Sequence, residues 1–138
     1  MNLSVIKEKG AGARISFLCS IVSLIGLVAY LIYGIVYDYL DSVVLIAFLA
    51  GALCAAGYCF REEAVLGLLN LVSAACLSYG IGLFFLNSFP VWADNLNGIT
   101  MYASRGGLPP VIAILVILVL AILLEIVSCF MGKGGKTA

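Results

Sequence analysis

The sequence predicts an all-α integral membrane protein, a bundle of four transmembrane helices that run antiparallel, up-down-up-down, with a short amphipathic helix in the outer loop. The first observation is composition: 64% of the 138 residues are hydrophobic, 10% are charged, and the mean hydropathy is +1.23. Soluble domains are nearer to about 45–50% apolar and about 25% charged. The other two observations are the four long apolar runs and the distribution of Lys and Arg along the chain.

Each predicted span is an apolar run long enough to cross a bilayer, since about 20 helical residues reach across a hydrocarbon layer of about 30 Å. The clearest is the fourth, which is unbroken from Val111 to Leu124. Pro109 and Pro110 precede it and Gly132 follows it, as at the ends of many helices. The spans are expected at residues 15–37, 43–60, 64–86 and 109–131, after a polar lead of residues 1–14 and before a tail of residues 132–138.

The connections and their charges predict the topology. The turns at residues 38–42 and 61–63 are so short that spans one, two and three must be antiparallel neighbours, and Asp41 or Ser42 can cap the second helix. Lys and Arg favour the cytoplasmic side. With the N-terminus inside, Arg105 is the one cation outside, and six lie inside: Lys7, Lys9, Arg14, Arg61, Lys133 and Lys136. We therefore expect both termini in the cytoplasm and the spans in a bacterial inner (plasma) membrane.

A polar seam is predicted in the inner half of the bundle, around the only carboxylate well inside an apolar run. Glu125 lies six residues from Met131, Asn70 six from Ala64 and Ser20 six from Arg14, which is about 9 Å along a helix in each case. Each has a polar companion three residues away on the same helical face: Ser128, Ser73 and Ser23. One hypothesis makes Glu125 a proton or cation site of a transport pathway. The other makes it an interhelical hydrogen bond that fixes helix register or oligomeric state, or a group that reaches water.

Small residues recur every four positions in the second and third spans, and such stripes let helices approach closely in lipid. The two stripes are Ala47, Gly51, Ala55 and Ala74, Ser78, Gly82. Because a three-residue turn joins these spans, we expect the stripes to pack against each other within one chain.

The sequence of the outer loop, residues 87–108, predicts an amphipathic helix on the membrane surface. Ser88 is expected to cap this helix, Pro90 to lie in its first turn and Gly98 to end it. One face carries Phe89, Trp92, Leu96 and Ile99, and Gly106-Gly107 is expected to be a hinge. The helix is interpreted as a lid, a partner-docking element or an interfacial anchor. The candidate contacts are Trp92, Asp94, Asn95, Asn97 and Arg105, with Arg105 also able to pair with Asp94, Asp38 or Asp41.

Composition and motifs exclude several classes of protein. There is no histidine, and the five cysteines lie inside apolar runs with no C-x-x-C pair. The stretch from Asp94 to Gly98 does not alternate oxygen ligands with spacers as a calcium loop does. Motifs for a nucleophile, a phosphate loop or nucleic-acid binding are not found. No catalytic residue, cofactor, metal site or nucleic-acid partner is therefore predicted.

The expected function is that of a non-enzymatic membrane subunit or accessory protein that works through helix-helix contacts and its outer loop. The alternative is a small oligomeric transporter or channel that uses Glu125 as a proton or cation site. In size and span number the chain resembles the small multidrug resistance exporters and the dual-topology fluoride channels. The exporters carry an essential carboxylate in the first span, whereas residues 15–37 contain none. The fluoride channels lack so strong an inward charge bias, so neither family is assigned. Besides the lipid bilayer, the expected partner is a second copy or a larger membrane protein.

Overall fold

The computed structural model describes residues 10–60, 67–100 and 106–131, and within these ranges the regular structure is entirely helical. Four of the helices are long and apolar enough to cross a membrane, which confirms the predicted number of long apolar helices. The helices are α1 (Ala11–Tyr37), α2 (Ser42–Phe60), α3 (Gly67–Asn87), α4 (Phe89–Asn97) and α5 (Leu108–Met131).

The described helices differ most from the predicted spans at the starts of α1 and α3. The sequence assigns residues 11–14 to a polar lead, whereas α1 already begins at Ala11. The reason is packing: Gly12 and Ala13 are buried, and their carbonyl groups accept hydrogen bonds from Ser128 and Cys59. The third span was expected from residue 64, and α3 is described from Gly67, because residues 64–66 lie outside the described ranges.

The four long helices pack in a ring, in which α1 contacts α2 and α5, and α3 also contacts α2 and α5. Large apolar side chains fill the centre of the ring; among the fully buried ones are Phe48, Leu77 and Leu118. Glycines on the facing helices accept them, since a Cβ atom at Gly80 would lie 2.6 Å from the Phe48 ring and one at Gly51 would lie 2.6 Å from Leu77. Close helix approach of this kind is a main source of association in lipid.

The small-residue stripe of α2 packs within the chain as predicted, but the stripe of α3 does not. Ala47, Gly51 and Ala55 are all buried. On α3, by contrast, Ser78 and Gly82 are exposed, and a Cβ atom at Gly82 would have no other atom within 4 Å. The buried face of α3 carries instead Asn70, Ser73, Leu77, Gly80 and Phe84. The polar side chains and Gly80, rather than the four-residue stripe, therefore set how α3 is rotated in the bundle.

Asp41 organises the turn between α1 and α2. Its Oδ1 accepts a hydrogen bond from the Val43 N–H at 2.7 Å and so caps α2. Of the two predicted caps, Asp41 and Ser42, Asp41 is the one that makes this bond. Its Oδ2 accepts a bond from the Asn87 side chain at 2.7 Å. These bonds hold the pKa of Asp41 below its usual range, and the bond from Val43 has a larger effect than the bond from Asn87. The Tyr30 hydroxyl accepts from the Asp41 N–H at 2.8 Å, so this turn is tied to α1, α2 and the end of α3.

Candidate functional site

The candidate site is a buried polar cluster that we define as Ser16 of α1, Asn70 of α3, and Glu125 and Ser128 of α5. All four are buried, and Glu125 has no exposed surface (0%). The Ser16 Oγ lies 3.4 Å and 3.3 Å from the two carboxyl oxygens of Glu125. It also lies 3.3 Å from Oδ1 of Asn70. A single hydroxyl group of α1 thus meets polar groups from α3 and α5.

A second chain of hydrogen bonds joins the same helices closer to their ends. The Asn70 side-chain amide donates to the Ser128 Oγ at 3.0 Å. The Ser128 hydroxyl donates in turn to the Gly12 carbonyl at 2.7 Å. Asn70 therefore uses its oxygen and its nitrogen on different partners, and the cluster holds α1, α3 and α5 in one register.

Two further polar side chains lie beside the carboxyl group. The Cys19 thiol and the Ser73 hydroxyl both lie near Glu125. Each also has a backbone acceptor, since Cys19 lies 3.2 Å from the Ala121 carbonyl and Ser73 lies 2.8 Å from the Gly51 carbonyl. The described polar side chains beside Glu125 are thus hydroxyl and thiol groups, none of which carries a positive charge.

The number of available protons limits what the cluster can do. Ser16 has one hydroxyl proton, but its acceptors include the Ala55 carbonyl at 3.1 Å as well as Asn70 and Glu125. A hydroxyl group donates one bond and accepts others. An ionised Glu125 would need that one proton, whereas a protonated Glu125 would donate its own to the Ser16 Oγ. The arrangement can therefore hold a carboxyl group whose proton takes part in the network.

The structure brings together most of the predicted seam, with one correction. Glu125, Asn70, Ser73 and Ser128 lie together, but Ser20 does not reach them, because its hydroxyl donates to the Ala52 carbonyl of α2 at 3.2 Å. Ser23 lies 3.7 Å from the Cys19 sulfur, one turn farther along α1. The position predicted for Ser20 is taken by Ser16, four residues earlier. Counting residues from Arg14 placed Ser20 level with Glu125 and Asn70, whereas the contacts place Ser16 at that level. The spacing of Ser16, Ser20 and Ser23 on one helical face was the available signal.

The polar side chains predicted as contacts in the loop are largely used within α4. The side-chain amides of Asn95 and Asn97 donate to the carbonyls of Val91 and Ala93, at 2.8 Å and 2.9 Å. The Trp92 indole N–H donates to the Ser88 Oγ at 3.2 Å. Arg105, the remaining predicted contact, lies outside the described residues.

The ends of α4 match the prediction at one end only. Gly98 has φ +63 and ends the helix in the left-handed conformation, as predicted. Ser88 does not cap with its side chain, because α3 continues almost directly into α4 and the Ser88 hydroxyl donates back to the Phe85 carbonyl at 3.0 Å. The face of α4 turned inward carries Val91 and Asp94, which are 0% and 7% exposed.

Within the described ranges, no group of three or more Cys, Asp or Glu side chains is placed to hold a metal ion. Comparison with protein-family models, with curated proteins and with solved structures found no match for this chain.

Proposed function

We propose that this protein is a non-enzymatic multi-pass membrane subunit or accessory protein that acts through helix-helix contacts and its outer loop. Its four long helices cross a bacterial plasma membrane up-down-up-down, with both termini in the cytoplasm. The four-residue connection between α1 and α2, together with their contact, supports antiparallel crossing. The strong bias of Lys and Arg supports the orientation.

The observation that carries the proposal is that the polar cluster is closed within one chain. Glu125 is fully buried, its carboxyl group meets Ser16 of α1, and Ser16 in turn meets Asn70 of α3 in the same bundle. Hydrogen bonds between helices in membranes contribute about 0.6 kcal/mol each on average. Three such contacts, Ser16–Asn70, Ser16–Glu125 and Asn70–Ser128, would together stabilise the bundle by about 2 kcal/mol. We therefore assign the cluster to fixing helix register rather than to carrying a substrate.

The outer helix α4 supports an interfacial or partner-contacting role. Phe89 and Leu96 are 53% and 74% exposed, and Ile99 just beyond the helix is also exposed. Asp94 faces the bundle instead. Apolar side chains of α4 are thus available to the headgroup region of the bilayer or to another protein.

A transporter with Glu125 as a proton or cation site is the second candidate. The observation that favours it is that Glu125 is an ionisable group inside a predicted span. Among the described residues, no positively charged side chain lies beside it. Such groups frequently belong to ion or proton pathways. This candidate requires that the bundle open, because Glu125 has no exposed surface.

Reconstitution separates the two candidates. The purified full-length chain is placed in vesicles with an internal pH dye, and proton and cation flux is compared with that of empty vesicles. The proposal predicts that the wild-type chain gives no flux above that of empty vesicles. It also predicts that Glu125→Gln unfolds more readily than wild type. The matched control is Ser20→Ala, which removes a hydroxyl one turn from the cluster. Flux that Glu125→Gln abolishes and Ser20→Ala preserves would overturn the proposal in favour of the transporter.

The mass of the native particle in mild detergent provides the second measurement. A subunit or accessory protein is expected as a defined complex with a second copy or a larger membrane protein. A particle that stays monomeric and binds no protein across the accessible concentration range would contradict the proposal.

A further inference from the structure

An apolar stripe crosses the junction of α3 and α4, and its members are Phe85, Phe89, Trp92 and Leu96. They follow one another at intervals of four, three and four residues, which keeps them on one side of a helix. Backbone hydrogen bonds keep this helical spacing through the junction, from the Ser88 N–H to the Phe84 carbonyl and from the Trp92 N–H to the Ser88 carbonyl. Trp92 is half-buried, and the other three side chains of the stripe are exposed. The two helices therefore share one outward apolar surface.

The chain bends toward this stripe at the junction. In a straight helix, residues seven apart are separated by about 10.5 Å along the axis, and their side chains lean in the same direction. The ring centroids of Phe85 and Trp92 lie only 5.7 Å apart. Pro90 lies between them and has no N–H for a helical hydrogen bond, and helices commonly bend at proline. The stripe on α4 is thus turned toward the side on which Phe85 of α3 is exposed, which is the lipid side of the proposed bundle.

The opposite face of α4 is held by the bundle. Val91 is buried, and it lies beside the segment that leads into α5, since a Cβ atom at Gly106 would be 2.7 Å from its side chain. Asp94, three residues later on the same face, is also buried. Because Asn87 ends the third span, α4 lies against the outer end of the bundle with its stripe turned away from it.

The polar side chains that flank the stripe are turned back toward their own helix. The Trp92 indole N–H donates to Ser88, and the amides of Asn95 and Asn97 donate to backbone carbonyls four residues earlier. Protein interfaces carry about one hydrogen bond per 100–200 Å², whereas a lipid boundary requires none from an apolar face. Tryptophan is enriched at the membrane–water boundary. These observations favour lipid over protein as the occupant of the stripe.

We propose that the stripe on α4 is a lipid-binding surface that inserts into the outer leaflet at the level of the headgroups and the upper acyl chains. The inference rests on the membrane crossing in the proposed function and names the bilayer as the partner of α4. Amphipathic surface helices of this kind are immersed by about 5–10 Å. The contact anchors the outer end of α3 and holds α4 along the membrane surface.

Trp92 is the only tryptophan among the 138 residues, so its fluorescence reports on α4 without a label. The full-length chain is placed in phosphatidylcholine vesicles whose acyl chains carry bromine either close to the glycerol or at the chain ends. Bromine near the glycerol is expected to quench wild type at least about twofold more strongly than bromine at the chain ends, because the immersion is shallow. Stronger quenching from the chain ends, or no quenching from either position, would overturn the proposal.

Moving the tryptophan around the helix identifies what covers the stripe. In a Trp92→Phe background, Leu96→Trp places the single tryptophan on the stripe. Asn97→Trp is the matched control, exposed like Leu96 but about 100° around the helix. Acrylamide in the water should quench the control at least about threefold more strongly than Leu96→Trp, and bromine near the glycerol should show the reverse order. Phe89→Trp serves as a second stripe variant if Leu96→Trp does not fold.

Two other outcomes overturn the proposal. If acrylamide quenches Leu96→Trp as strongly as the control, the stripe faces water and is open to a protein partner. If Leu96→Trp is protected from both quenchers, protein covers the stripe, and loss of that protection on dilution in lipid identifies the protein as a second copy. These results are separate from the flux measurement, since transport that depends on Glu125 would overturn the proposed function and leave the lipid contact of α4 unchanged.

Discussion

Asn70→Ala tests whether the polar cluster fixes the bundle. Asn70 is 1% exposed and contacts both other helices of the cluster. The substitution removes the bond from its amide to Ser128 at 3.0 Å and the bond that its oxygen accepts from Ser16 at 3.3 Å. Ser128 keeps its bond to Gly12, and Ser16 keeps its other acceptors, so no other buried donor is left unpaired.

The size of the effect follows from these two bonds. Hydrogen bonds between membrane helices contribute about 0.6 kcal/mol on average and up to about 1.7 kcal/mol each. We therefore expect Asn70→Ala to lower the free energy of unfolding by about 1–3 kcal/mol, the upper part of the range including the small cavity left by the amide.

Reversible unfolding by dodecyl sulfate in mixed micelles, followed by circular dichroism, measures this free energy. Asn97→Ala is the matched control, because it removes an exposed amide that bonds only to the Ala93 carbonyl. We expect a change below about 0.5 kcal/mol for the control. A loss below about 0.5 kcal/mol in Asn70→Ala, or an equal loss in both variants, would refute the assignment of the cluster to helix register.

Three further predictions concern packing, pH and topology. Gly80→Ala should lower the free energy of unfolding by about 1–3 kcal/mol, because its Cβ atom would lie 2.6 Å from the Phe48 ring. In the same assay Gly82→Ala should be neutral or slightly stabilising, because a Cβ atom there meets no other atom within 4 Å. The pKa of Asp41 is lowered in the folded protein, so its contribution to stability is present above about pH 4 and is lost as the pH falls through the folded value. Asp41→Asn should therefore reduce the acid dependence of the unfolding midpoint while retaining the helix cap. An unchanged acid dependence would contradict this prediction. A green fluorescent protein fused after Ala138 should fluoresce and an alkaline phosphatase fused there should be inactive in a bacterial host, and the opposite pattern would reverse the proposed orientation.

The number and approximate extent of the long helices were predictable from the sequence. Four apolar runs of sufficient length have few stable alternatives in a bilayer, where backbone groups must be satisfied within the segment. The capping of α2 by Asp41 and the end of α4 at Gly98 were also predictable, because both depend on local backbone chemistry.

Only the tertiary structure decided how each helix is rotated and which polar groups meet. Ser16 rather than Ser20 reaches Glu125, and α3 turns Gly80 inward and Gly82 outward. In a soluble protein the apolar face of a helix identifies its buried side, but here the lipid and the core are equally apolar. Hydropathy therefore does not distinguish the two sides of a helix. Close packing at small residues and a few interhelical hydrogen bonds do so, and both depend on the partner helix as well as on the sequence of each span.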